Sequence, residues 1–217
     1  MNDANNIPST NSLSRVDRPF QRVRNLTTSR AAERDTQSVR LPDGATVRLR
    51  SASDGDEDDA ALRRLYFTLS DTTRYLYFCA GVPATALWAE RFVALGHADG
   101  ERSSVLVAEA DGELIGFARF SQGPHPAPDD HSADMGIILT DAWQGRRLGA
   151  HMVCQIATEA LARGVTTFTT VVLWENRRML RLARRMFPDM RITYESGTCE
   201  ISVDLASWAK SNAQRCG

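Results

Sequence analysis

"DAWQGRRLGAHM", residues Asp141 to Met152, follows the apolar run "MGIIL" and opens a long amphipathic stretch. A strand joined to a helix needs only one glycine or one capping residue at the turn. This turn holds Gln144, Gly145, Arg146, Arg147 and Gly149. The helix is expected over about 146–163, with Leu148, Met152, Val153, Ile156, Ala160 and Leu161 on one stripe. Its first N–H groups lack intrahelical partners and point outward, which makes the helix start an anion site. The macrodipole adds roughly 0.3–1 kcal/mol for a nearby negative charge. Arg146 and Arg147 bring formal charge to the same place. The expected ligand is a phosphate held largely by backbone amides.

Outward from this turn, the pattern alternates between strands and helices. "SVRLPDGATVRLRSA" reads as a hairpin around Pro42-Asp43-Gly44, and "SSVLVAEA" with "ELIGFARFS" as a second around Asp111-Gly112. Between them, "DGDEDDAALRRLYFTLS" begins acidic and then places Leu62, Leu65, Tyr66 and Leu69 at helical spacing. "DTTRYLYFCA" is a second short helix, and "PATALWAERFVALGH" a third with Pro83 at its start. After the central turn, "VTTFTTVVL" is a β-branched strand. "NRRMLRLARRMF" is a helix capped by Asn176, with Met179, Leu182, Ala183 and Met186 inward and its arginines outward. "MRITYES" and "TCEISVDL" form a closing hairpin, and "ASWAKSNAQRCG" a tail.

The bulk numbers narrow the class. The 217 residues, 42% hydrophobic and 24% charged, suffice for one domain with its own core. A net charge of −1 gives no general pull toward nucleic acid or membrane. Cys79, Cys154, Cys199 and Cys216 are far apart and form no CxxC pair, so they read as reduced thiols of a cytoplasmic protein. No apolar run reaches the roughly 18 residues of a membrane span. The expected organisation is a disordered tail over 1–37, one domain over 38–205 and a C-terminal tail over 206–217.

Three runs carry a resemblance. "ADMGIIL", "DAWQGRRLGA" and "VLWENRRMLRLARRMF" resemble the GCN5-related N-acetyltransferase (GNAT) family across about residues 39–205. The fuller wording is similar to the acetyltransferase domain of bacterial protein-lysine acetyltransferases. The resemblance implies a three-layer α/β/α sandwich (α/β, or α+β) whose mixed, mostly antiparallel sheet of about seven strands splays at its centre. It implies acetyl-CoA as co-substrate, no metal, and an amine acceptor that is a protein lysine. Cofactor contacts would come from Ile137, Ile138 and Leu139 of the strand. They would also come from Gln144, Gly145, Arg146, Arg147, Leu148, Gly149 and Ala150 of the loop and helix start, and from Asn176 and Met179 beyond. Arg147 departs from the family pattern, which has a glycine there. Its side chain either crowds the pyrophosphate or turns outward toward the cofactor's 3′-phosphate.

The chemistry needs a base. A lysine of pKa about 10.4 is neutral in only about one molecule in 10³ at pH 7, so freeing the amine costs about 4–5 kcal/mol. Asp134, near the start of the strand, is the candidate, working directly or through a water. The alternative is a solvent-facing Asp with no role. Backbone N–H groups of Ile138 or Leu139 would stabilise the oxyanion. Tyr194 is the candidate acid for the thiolate, against a simple packing role. His125, His131, Asp129 and Asp130 surround a Pro-rich loop that reads as an amine entrance rather than a metal site. Two rivals stand beside the lysine reading: an enzyme acting on an aminoglycoside, polyamine or amino acid, and a non-catalytic acyl-CoA sensor. Membrane and nucleic acid are not expected partners, and a homodimer is open.

Overall fold

The structure, a computed structural model, describes residues 36–98, 100, 102–123 and 130–212. Residues 1–35 of the stretch expected as an N-terminal tail, the Pro-rich run 124–129 with His125 and Asp129, and residues 213–217 lie outside these, while Gln37, the last residue of that expected tail, opens the first strand. Among the described residues, eight strands form one sheet: β1 (Gln37–Arg40), β2 (Thr46–Ser51), β3 (Ser103–Ala110), β4 (Glu113–Ser121), β5 (Ser132–Leu139), β6 (Thr167–Leu173), β7 (Arg191–Glu195) and β8 (Thr198–Asp204). Their order is β1-β2-β3-β4-β5-β6-β8-β7, antiparallel throughout except for the β5–β6 pair.

Helices α1 (Asp56–Thr68), α2 (Asp71–Phe78) and α3 (Ala86–Leu95) cover one face. Their apolar stripes meet Val105, Val107, Leu114, Phe117 and Ile138 in one core, with Tyr66 and Phe92 fully buried. On the other face, α4 (Leu148–Ala162), α5 (Arg177–Met186) and α6 (Leu205–Asn212) close a larger core around Phe120, Met152, Ile156 and Phe168. Two cores on opposite faces of one sheet make the three layers that the resemblance implied.

Local chemistry sets the element ends. Ser70 Oγ accepts from the Thr73 amide and Asn176 Oδ1 from the Met179 amide, so both helices start on a side-chain cap. The third helix begins at Ala86 with Thr85 as N-cap, not at Pro83. The expected C-terminal tail contains α6: Asp204 accepts from the Ser207 amide, and Trp208 buries its ring against Phe187. A short apolar segment of one Leu and one Trp gave little periodicity to read. Among the described cysteines, Cys79 and Cys199 are free and Cys154 is disulfide-bonded, so the expectation of reduced thiols fails at Cys154. No helix is long and apolar enough to cross a membrane among the described residues.

Two irregularities position the site. Ile115 is an extra residue in β4, where the register with β3 passes from Ala108–Gly116 to Glu109–Leu114. Next to it, a Cβ on Gly116 would stand 2.4 Å from the Ile138 carbonyl oxygen, so glycine lets β4 and β5 approach there. The second irregularity is larger. β5 and β6 pair only over Ser132–Asp134 and Thr167–Thr169, and then separate. From Met135 to Leu139 the β6-facing edge of β5 has no strand partner.

Candidate active site

The separation of β5 and β6 opens a cavity of about 1770 Å³ that runs from the α2 face to the α4–α5 face. Backbone parity decides what β5 presents to it. The Thr140 amide donates to the Ile115 carbonyl on the β4 side, and Ala133 carbonyl accepts from Thr169 Oγ1 on the β6 side. In a regular strand the two sides alternate, so Met135, Ile137 and Leu139 turn their peptide groups to the opening. Ile138 turns its amide to β4. Of the two backbone donors expected from sequence, only Leu139 therefore faces the cavity, joined by Ile137.

The turn after β5 is more elaborate than a strand–helix joint. A 3-10 turn over Asp141–Trp143 comes first, then Gly145 and Arg147 both take left-handed conformations, at φ +76° and +71°. α4 consequently begins at Leu148, later than expected, and no side chain caps it. Its first-turn amides stay open to an anion. Gly149 sits against Leu182, Ile137 and Leu139; a Cβ there would be 3.3 Å from Leu182 Cδ2, so glycine keeps the helix start close to β5 and α5.

The loop residues divide into two groups. Gly145, Arg147, Gly149 and Ala150 line the cavity, as do Asn176 and Met179. Leu148 is fully buried in the core, so only its backbone belongs to the helix start. Arg146 does not line the cavity. It pairs with Asp43 of the β1–β2 turn and stacks on Trp143, 4.1 Å from the ring centroid. Its guanidinium holds the Asp43 carboxyl below the usual carboxylate range. Arg146 therefore fastens the loop to the sheet rather than facing a ligand. The arginines that do line the cavity are Arg119 of β4, Arg147 and, on α5, Arg177, Arg178, Arg181 and Arg185. The outward face of α5, which reads in sequence as a solvated face with contact to the cofactor's 3′-phosphate or an acidic protein surface as the lesser alternative, is thus a wall of the site.

Gln144 uses both ends of its amide on protein. Nε2 donates to Thr73 Oγ1 and to the Leu139 carbonyl, each at 3.0 Å, while Oε1 accepts from Arg178 at 2.7 Å. Asp141 accepts from the Ser70 amide and from the hydroxyls of Ser70 and Thr73. Burial opposes its ionisation, but those hydrogen bonds prevail and hold its carboxyl below the ordinary value. The loop is in this way tied to the start of α2 on one side and to α5 on the other.

On the opposite wall, Asp134, Gly136 and Ile138 point toward α1–α3. Asp134 touches the open cavity, yet protein surrounds it closely enough for burial to push its pKa up, with Arg119 opposing the shift. Arg119 lies across from Gly136 in the β4–β5 register. The Tyr77 hydroxyl comes to the same place: a Cβ on Gly136 would be 3.1 Å from it. Burial drives the Tyr77 phenol up to about 12, Arg119 acting against this and Asp134 with it. Tyr194 is elsewhere. It lies on the edge strand β7, 63% exposed, and does not line the cavity. Tyr77 and Arg119 escaped sequence reading because nothing local marks them. Tyr77 is four residues beyond Thr73 on one helical face, and Arg119 is identified only by a strand register.

The co-substrate expected here, acetyl-CoA, fits three features of this chain: an uncapped helix start, an unpaired strand edge and a row of arginines between them. The comparisons agree. The sequence profile of the acetyltransferase (GNAT) family matches residues 62–187, more than half of the chain. This chain belongs to that family of acetyl-CoA-dependent N-acetyltransferases. It is similar to the GNAT domain of S. lividans PAT, at 28% identity and a TM-score of 0.67, over 78% of this chain and 96% of that one. It shares its fold with a cAMP-binding acyltransferase from Mycobacterium smegmatis, at 22% identity and a TM-score of 0.53, over 79% of this chain and 48% of that longer one. It also shares its fold with yncA from Salmonella typhimurium, solved with its cofactor acetyl-CoA, at 19% identity and a TM-score of 0.51, over 73% and 94% of the two chains. No curated protein sequence matches the chain.

One prediction arises from the loop. A non-glycine residue in the left-handed region is strained by roughly 1–2 kcal/mol. Arg147→Gly should therefore raise stability by about 0.5–1 kcal/mol once glycine's own entropic cost is subtracted. If the guanidinium faces a phosphate, the same variant should bind acetyl-CoA several-fold more weakly. Thermal melts and calorimetry on one preparation read both effects. An unstrained Arg147 would show no gain in Tm.

Proposed function

We propose that this chain acetylates lysine side chains of proteins, with Asp134 as the base. The observation that carries the reading is the open sheet surface beside Asp134. Thr169 and Val171 of β6 and Thr198 and Glu200 of β8 line the same cavity, and α2 comes up to this face at β6 while Val171 and Glu200 stay open. Val171 is 42% exposed, and Glu200 is also open to solvent. A small amine needs walls on most sides to be held. A lysine carried by a protein loop needs a channel for its own stem and room outside for its carrier. Asp130, Asp134, Glu175 and Glu200 give the cavity carboxylates that favour an ammonium ion. The likeness to S. lividans PAT supports the same choice.

In this mechanism the amides of Leu148 and Gly149, with Arg147, hold the diphosphate. Arg178 and its neighbours on α5 meet the outer phosphate. The exposed edge of β5 lays the thioester along Ile137–Leu139. The lysine enters from the α2 side and loses its proton to Asp134, whose raised pKa makes it a better base than an ordinary aspartate. As the amine adds to the carbonyl, the developing negative charge meets the Leu139 or Ile137 amide.

An acceptor panel tests this: polylysine, a folded lysine-bearing protein such as lysozyme, spermidine, and an aminoglycoside. Acetylated protein, with kcat/KM at least tenfold above either small amine, is the expected result. Turnover confined to spermidine or the aminoglycoside would replace the reading with a small-molecule one. Self-modification is easy to separate, because Lys210 is the chain's single lysine.

A further inference from the structure

We propose that Glu200 of β8 selects the acceptor, by binding a second cationic side chain three or four residues away from the lysine to be acetylated. The inference rests on the lysine reading above and names the protein segments that the site takes: locally basic ones rather than isolated lysines.

Strand register places Glu200. Asp134 pairs with Thr169, and Thr169 with Ser202, along the last rung that joins β5 to β6. Two residues further toward the opening, Val171, Glu200 and Thr193 form the next row on the same face. With strands about 4.8 Å apart and a rise of about 3.3 Å per residue, Glu200 stands about 12 Å from Asp134. An extended chain covers that distance in three or four residues. A segment that delivers its lysine to Asp134 therefore carries a near neighbour over Glu200.

The charges of the site leave this carboxylate for a partner. Asp130, Asp134, Asp141, Glu175 and Glu200 all line the cavity. Asp130 accepts from the Ser132 amide and hydroxyl, and Asp141 from the hydroxyls of Ser70 and Thr73. Glu175 accepts from the Tyr75 hydroxyl, and Arg119 acts on Asp134 from the neighbouring strand. Glu200 is exposed and makes no hydrogen bond or ion pair among the described residues. Arg191 and Glu195, which flank Thr193 on β7, are opposite in sign and leave Glu200 uncompensated. Beside it, Val171 is 42% exposed. The methylene stem of an arginine or lysine lies on such an apolar strip while its charged head reaches the carboxylate. An acidic side chain in the same place meets repulsion instead.

The test measures kcat/KM of the full-length chain, with acetyl-CoA, on three peptides. Each carries a single lysine, and its third and fourth neighbours on both sides are all Arg, all Gln or all Glu. Wild type should prefer the Arg peptide to the Gln peptide about three- to fivefold, the scale of one exposed ion pair, with the gain in KM. High salt should erase that preference. E200Q should take the Arg and Gln peptides alike, and E200K should prefer the Glu peptide to the Arg peptide. Each ratio is taken within one protein, so a loss of folded enzyme does not alter it, and a packing role would not invert with the charge. Wild type that takes the Arg and Gln peptides equally, or E200Q that keeps the wild-type preference, would overturn the role of Glu200 and leave the lysine reading standing. Turnover of spermidine with no peptide acetylated would overturn both.

Discussion

Asp134→Asn should lower kcat/KM for a lysine acceptor by about 10²–10⁴-fold and leave the affinity for acetyl-CoA unchanged. The carboxylate lies on the acceptor side of β5, whereas the diphosphate site lies at the far end of the strand. The two functions therefore separate in one variant. Burial raises the Asp134 pKa above its ordinary 3.8, with Arg119 opposing. The acid limb of the wild-type profile for kcat/KM should accordingly lie above that value, and the variant should lack it.

The same shift fixes a stability effect of opposite sign. A carboxyl raised in the folded state binds more protons folded than unfolded. Stability then falls as pH rises from the unfolded value through the folded one. At neutral pH the ionised Asp134 is a standing cost, and Asn removes it. Asp134→Asn should melt at or above the wild-type temperature at pH 7 while being nearly inactive. A variant that lost activity by unfolding would instead melt lower.

Asp58→Ala should destabilise the fold by about 3 kcal/mol at pH 7. Asp58 is in the first turn of α1, and its side chain is 4% exposed. Arg50 of β2 binds it through both terminal nitrogens at 2.9 and 2.7 Å, and the Ser53 amide and hydroxyl donate to it at 2.7 Å each. Removing the carboxylate leaves a guanidinium nearly buried, still reached by Glu109, along with two unsatisfied donors. Burial alone would raise this carboxyl, but the hydrogen bonds from Arg50 and Ser53 outweigh it and hold it far below the usual range. The sign is therefore reversed relative to Asp134. This stability is fully present above the ordinary carboxylate value and is lost as pH falls below it toward the folded value. Urea titrations of both proteins should show the gap at pH 7 and its narrowing below about pH 4. A gap that stays constant into acid would mean that packing, not charge, joins α1 to the sheet.

The sequence made most elements readable because each carries a local signal. Pro42-Asp43-Gly44 and Asp111-Gly112 mark hairpins, Asn176 marks a helix start, and "VTTFTTVVL" marks a strand. The phosphate loop was legible for the same reason, since Gly145 and Gly149 constrain the backbone at fixed offsets. Long-range placement was not legible. Whether Arg146 faces a ligand depends on Asp43, 103 residues away, which captures it. The choice between Ile138 and Leu139 depends on strand parity, which a single Thr140–Ile115 bond sets. Tyr194 and Tyr77 look alike as residues of amphipathic segments, and only the sheet order sends one to an exposed edge and brings the other over Gly136. The arginines of α5 showed their helical periodicity plainly. What their outer face overlooks is a property of the gap between β5 and β6.

The central claim is that the uncapped start of α4 holds the diphosphate of acetyl-CoA beside the free edge of β5. Calorimetry with acetyl-CoA and with acetyl-pantetheine, which lacks the nucleotide and its diphosphate, tests it directly. The account predicts one acetyl-CoA per chain and binding of acetyl-pantetheine at least a hundredfold weaker. Equal affinity for the two, or no heat with acetyl-CoA, would contradict it.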